Sequence, residues 1–155
     1  MNVKLANHFI TATVNVLSTM AFVKPVAGTP YIKTSNKSLA EVSGTLGITG
    51  IGIKTKGCMT IAFTKGSILK IISNMLGESH ETINAEVCDA VGEITNMISG
   101  QARKKLSENG QSFEASIPTI IVGKDQEIHH LKLPSVIIPF KIDNEHFFVD
   151  ICFSD

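Results

Sequence analysis

The chain has 155 residues, and its 14 basic side chains balance 14 acidic ones, so one domain spanning 1–155 is long enough to bury a core without disulfides or a structural metal. No basic cluster is denser than Arg103-Lys104-Lys105, which argues against nucleic acid and anionic membrane as partners. Cys58, Cys88 and Cys152 are widely separated and lie outside any C-x-x-C spacing; they read as buried thiols of a reducing cytoplasm, and no export signal or membrane span is expected.

From about Val3 to Phe22, Leu5, Phe9, Ala12, Val16 and Met20 fall on one helical stripe, and Pro25 and Pro30 close that helix. A polar linker, Thr34-Ser35-Asn36-Lys37-Ser38, follows. Glu41 to Thr49 and Gly57 to Thr64 then read as two strands of a hairpin whose glycine-rich connection is bulged. Ser67 is placed to cap a short helix that ends at Gly77, and Thr82 to cap a long one that ends near Asn109-Gly110. The remainder is strand-like. Ser112 to Val122 contains Pro118, and Ser135 to Ile142 and His146 to Phe153 flank the turn residues Asp143-Asn144-Glu145. The pattern predicts an α+β fold within the broad α/β class, with three principal helices on a mixed or antiparallel sheet.

The order helix-then-strands occurs twice, as two pseudo-symmetric halves. Sliding one half onto the other aligns Glu93-Ile94-Thr95-Asn96 with Ala12-Thr13-Val14-Asn15, so the first helix keeps an amide and lacks the acid.

The long helix carries the most informative residues. At about 100° per residue, Asp89, Glu93 and Asn96 form one stripe, roughly opposite the core rhythm of Ile83, Val87, Ala90, Ile94 and Ile98. Glu93 and Asn96 are helical neighbours, so an acid and an amide reach into one small site on another molecule. On its own such a stripe is ordinary surface. Gly92 and Gly100 border it, however, although each costs a helix interior about 0.8–1 kcal/mol relative to alanine. Glycines there let another backbone approach closely.

Asp89, Glu93 and Asn96 on a helix, followed by Pro118 on a later strand, resemble the motif of the CheC/CheX/FliY family of phosphatases that act on the phosphorylated chemotaxis regulator CheY, and most closely its single-site CheX-type members. The resemblance covers essentially the whole chain and implies a CheC-like fold. It implies Glu93 and Asn96 as catalytic residues, with Asp89, Gly92 and Gly100 facing the partner. The implied reaction is hydrolysis of the aspartyl phosphate of a CheY-like response regulator. An acyl phosphate already held by its own protein's Mg²⁺ and lysine asks the helper for neither a metal nor a nucleophile, so no cofactor is expected on this chain. Asn96 would orient the attacking water and Glu93 would pair with the regulator's lysine.

The resemblance also implies a homodimer, for which the apolar runs Val136-Ile137-Ile138 and Phe147-Phe148-Val149 offer edges to pair. The alternative function is that of a non-catalytic dimeric adaptor docking through the same face. Other chemistry finds little support. His8, His80, His129, His130 and His146 lack ligand spacing and read as solvated or hydrogen-bonded. No serine elbow or P-loop occurs, and Gly50-Ile51-Gly52-Ile53-Lys54 reads as a bulged loop opening no helix.

Overall fold

The computed structural model describes residues 3–33, 35, 37–126 and 135–154. In chain order the elements are α1 (Val3–Ala21), β1 (Val26–Ala27), β2 (Tyr31–Lys33), β3 (Val42–Gly50), β4 (Lys56–Phe63), α2 (Lys65–Leu76), α3 (Ala85–Glu108), β5 (Phe113–Ala115), β6 (Thr119–Val122), β7 (Ser135–Ile142) and β8 (Glu145–Phe153). This is the α+β arrangement expected, with three helices on one sheet. All its described strand pairings are antiparallel. The path runs β1-β7-β8-β4-β3-β5, with β2 also on β7 and β6 also on β3.

Alternation along the central strands builds the core. Met59, Ile61 and Phe63 of β4 and Phe147, Val149 and Ile151 of β8 point to the helices, where Phe9, Val16, Val91, Ile94 and Ile98 meet them. Phe63, Phe147 and Phe140 stack in series with ring centroids 5.4 and 5.0 Å apart. Each such contact adds about 0.5–1.5 kcal/mol beyond the area buried. Gly44 of β3 lies directly beneath α3: a β-carbon there would collide with Thr95 Oγ1 and crowd Val91. The absent side chain lets the helix settle on the sheet.

The strand edges differ from expectation. Val136-Ile137-Ile138 is covered on its outer side by β2, and β1 continues that cover over Phe140 and Lys141, while β8 lies between β7 and β4. Neither apolar run is therefore an edge. The outer rim is the short β1 and β2, whose Val26, Tyr31 and Ile32 are exposed. Behind it Lys33 and Asp150 form a buried ion pair at 3.1 Å, tying β2 to β8 across β7. Burial, and secondarily the Asp150 charge, push the Tyr31 phenol and the Cys152 thiol above their ordinary pKa values. A thiol so placed is a poor nucleophile. Cys58 is likewise buried, but Cys88, on the less enclosed flank of α3, is only half-buried.

Both helix caps sit away from the residues expected. Thr64, not Ser67, caps α2: its extended backbone turns Oγ1 to accept from Ser67 N–H, while the Ser67 hydroxyl donates back to the Thr64 carbonyl. Asn84, not Thr82, caps α3, accepting from Val87 N–H at 3.0 Å. Ile83 therefore precedes the helix, although it still packs on the core. Gly77 ends α2 at φ +72°, as its position requires. Thr34, Asn36, His129 and His130 lie outside the described residues.

The segment expected as one strand, Ser112 to Val122, is two. Ala115 pairs with Ile48 and Thr119 with Thr45, so Ser116, Ile117 and Pro118 stand opposite only Leu46 and Gly47. Pro118 has no N–H to offer the ladder, and Ser116 closes the gap: its N–H donates to the Gly47 carbonyl and its Oγ accepts from Gly47 N–H. One extra residue reverses the phase. Phe113 and Ala115 face the core before it and Ile120 after it, and Ile117, next in the inward alternation, is turned out and 88% exposed. That forgoes about 1.5–3 kcal/mol of burial.

Candidate functional site

The middle of α3 is the most firmly held part of that helix. Val87, Val91, Ile94, Thr95, Ile98, Ser99 and Ala102 form its buried face, and Thr95 Oγ1 donates to the Val91 carbonyl at 2.7 Å, so no polar group is stranded where the helix meets the sheet. Ala90 is only half-buried, and the core face turns toward Val91 and Thr95 instead. On the far side Asp89, Glu93 and Asn96 are all exposed. Among the described residues no hydrogen bond or ion pair occupies the heads of Glu93 and Asn96. An acid and an amide thus stand exposed on a helix whose opposite face is buried, well inside its capped ends.

The two glycines of this face are not demanded by the chain's own packing. A β-carbon on Gly92 would lie 3.5 Å from Ile120 Cδ1, an ordinary contact, and one on Gly100 would lie 3.9 Å from Arg103 Nη2. Pro118 is brought to the same region, because β5 and β6, which flank it, both contact α3. The acidic character extends toward the helix start through Glu86, in the first turn of α3, where the helix dipole favours it.

Glu78, His80 and Glu86 cluster at that entry, with donor atoms within 4.8 Å of one another, the one group of metal-ligating type among the described residues. His80 is hydrogen-bonded, as expected: Nδ1 meets the Glu78 carbonyl at 3.3 Å and Nε2 lies 3.6 Å from Glu86. Both ring nitrogens face oxygens. The ring thus sits between the α2–α3 connection and the first turn of the helix that carries the stripe.

The first helix supplies the test of pseudo-symmetry. Thr13 of α1 repeats the Thr95 bond, donating to the Phe9 carbonyl at 2.7 Å from a fully buried position. The buried set Phe9, Ala12, Thr13, Val16 and Leu17 thereby matches Val91, Ile94, Thr95, Ile98 and Ser99. This register is one residue away from the alignment drawn from sequence. Glu93 corresponds to Thr11 rather than Ala12, and Asn96 to the half-buried Val14 rather than Asn15. At these matching positions the first helix carries neither acid nor amide, and its exposed Asn15 lies one residue beyond the place of Asn96. Asn15→Ala should accordingly leave turnover unchanged within about twofold, and a large loss in a folded variant, measured by steady-state kinetics, would contradict the assignment to a single helix.

What sequence reasoning missed was the bulge. Its signal is the inward alternation Phe113, Ala115, Ile117 meeting a proline and then resuming at Ile120.

The family profile described as chemotaxis phosphatase CheX matches residues 42–141. The CheY-P phosphatase CheX of Thermotoga maritima is 27% identical over 139 residues, covering 86% of this chain and 88% of that protein. Among solved structures, the chemotaxis protein CheX of Desulfovibrio desulfuricans superposes with a TM-score of 0.87 at 42% identity, covering 98% of this chain and 100% of that one. CheX in the CheX–CheY–BeF3–Mg²⁺ complex of Borrelia burgdorferi shares the fold at 23% identity, with a TM-score of 0.81 over 99% of this chain and 100% of its own. Profile, sequence and fold agree with one another: the chain belongs to the chemotaxis phosphatase CheX family.

Proposed function

We propose that this protein hydrolyses the aspartyl phosphate of a phosphorylated CheY-like response regulator, presenting α3 to the regulator's active site. The observation that carries the reading is the adjacency of an uncommitted carboxylate and an uncommitted amide, Glu93 and Asn96, at the exposed centre of a rigid helix. Such a convex face serves a macromolecular substrate rather than a small one. Asn96 holds the attacking water by its amide, a group that does not titrate near neutral pH. The water's oxygen bonds to phosphorus as the phosphorus–oxygen bond to the aspartate breaks, leaving a carboxylate and inorganic phosphate. Glu93 pairs with the regulator's phosphate-binding lysine, fixing the helix in register. Gly92 and Gly100 let the partner's backbone close on the helix, and Asp89 adds negative charge at the rim. Mg²⁺ belongs to the regulator, and this chain contributes positioning and charge.

The Borrelia complex supports a CheY partner, and the family supports the phosphatase class. Regulator and phosphatase would meet in the cytoplasm, and no helix among the described residues is long and apolar enough to cross a membrane. The direct test charges CheY with acetyl phosphate in the presence of Mg²⁺ and follows the loss of phosphoryl group with and without this protein. Acceleration of dephosphorylation is expected; unchanged decay would leave only the adaptor reading.

The reading includes a homodimer, formed through the exposed rim of β1 and β2 rather than through β7 or β8. Val26, Tyr31 and Ile32 there are 67%, 45% and 58% exposed, and a second copy would cover them. Sedimentation should give twice the 16.7 kDa chain mass at micromolar concentration, and a monomer there would refute it.

A further inference from the structure

We infer that Ile117, turned outward by the Ser116–Pro118 bulge beside α3, is an apolar docking contact for the receiver domain of the phosphorylated regulator and sets affinity without taking part in the chemistry. The inference rests on the phosphatase reading and deepens it. Three observations converge. The first is phase: residues on either side of the bulge, Ala115 and Ile120, pack on the core, so Ile117 is in solvent because one inserted residue puts it there. At 88% exposure it is the most exposed large hydrophobic residue among those described. Isolated apolar side chains on a surface are common, but here the backbone expels one that the strand alternation would otherwise bury.

The second is place. Ile120 lies against Gly92, within the span of the stripe, while Phe113 and Leu106 line a common cleft further along the helix. In the chain the bulge falls between these two contacts, and β5 and β6 on either side of it both touch α3. The third is fit. Two glycines with no packing duty border the acid–amide pair, and a partner broad enough to cover α3 and its flanking strands would meet the proline-stiffened apolar tip as well. Bulges beside active sites commonly re-aim one side chain in this way.

Isothermal titration with the beryllofluoride-charged regulator, a stable stand-in for the phosphorylated form, tests this directly. I117S should raise Kd by about tenfold or more, and I117L should restore it. Steady-state kinetics with the acetyl-phosphate-charged regulator should show the same change in KM with kcat within about twofold. Thermal unfolding of I117S should match the wild type, because the side chain packs on little of its own chain. Equal Kd for I117S and wild type, no measurable binding by the wild type, or a fall in kcat at constant KM would each overturn the assignment. Failure of the phosphatase reading itself shows separately, as unaccelerated decay with the wild-type protein.

Discussion

Asn96→Ala should slow the chemical step by at least about a hundredfold, or ~3 kcal/mol, while leaving the regulator bound. Asn96 is exposed and makes no bond within the described chain, so its removal disturbs neither the buried face of α3 nor the Thr95–Val91 bond beneath it. What is lost is the group that fixes a water in line with the phosphorus, and alanine can neither donate nor accept. Catalysis by positioning disappears with its positioner. Single-turnover decay at saturating phosphorylated regulator reads the step without interference from binding. A variant that kept the full rate under those conditions would remove Asn96 from the mechanism and place the adaptor reading first.

Glu93→Ala should act on binding as well as on rate. In the free protein the carboxylate is solvated, and its loss should leave the unfolding midpoint where it is. In the complex its removal would leave the regulator's lysine desolvated and unpaired, for which about 2–5 kcal/mol is typical. Both Kd for the beryllofluoride-charged regulator and kcat/KM should worsen, with the larger share in Kd. Glu93→Gln keeps the shape and removes the charge, so it should rescue little. Wild-type affinity should also weaken with added salt more steeply than that of either variant. A glutamine variant with wild-type affinity would show that hydrogen bonding rather than charge holds the helix in place.

Much of this was legible in the amino-acid order because it depends on local periodicity. Asp89, Glu93 and Asn96 share a face in any α-helix, and the alternation in Ser135–Ile142 and Glu145–Phe153, broken at Asp143-Asn144, makes a hairpin in any sheet. Gly77 ended its helix for the same reason, since only a residue at ease with positive φ closes that turn. The caps slipped because several hydroxyls and amides precede each helix, and which one folds back is decided by where the strand before it ends. Thr64 follows β4 directly and so displaces Ser67.

Other features were decided only by contacts between segments distant in sequence. Strands β1 and β2 are too short to announce themselves, and they exist because β7 offers them a ladder. The register between α1 and α3 came from which faces meet the sheet: Thr13 and Thr95 are both sealed beneath their helices, and this displaces Asn15 from the place that matches Asn96. The outward turn of Ile117 is of the same kind. Its own neighbours, Phe113 and Ala115, predict that it points inward. The residue count opposite it on β3 sends it out, because strand pairing, and not the strand's own sequence, determines which face each side chain takes.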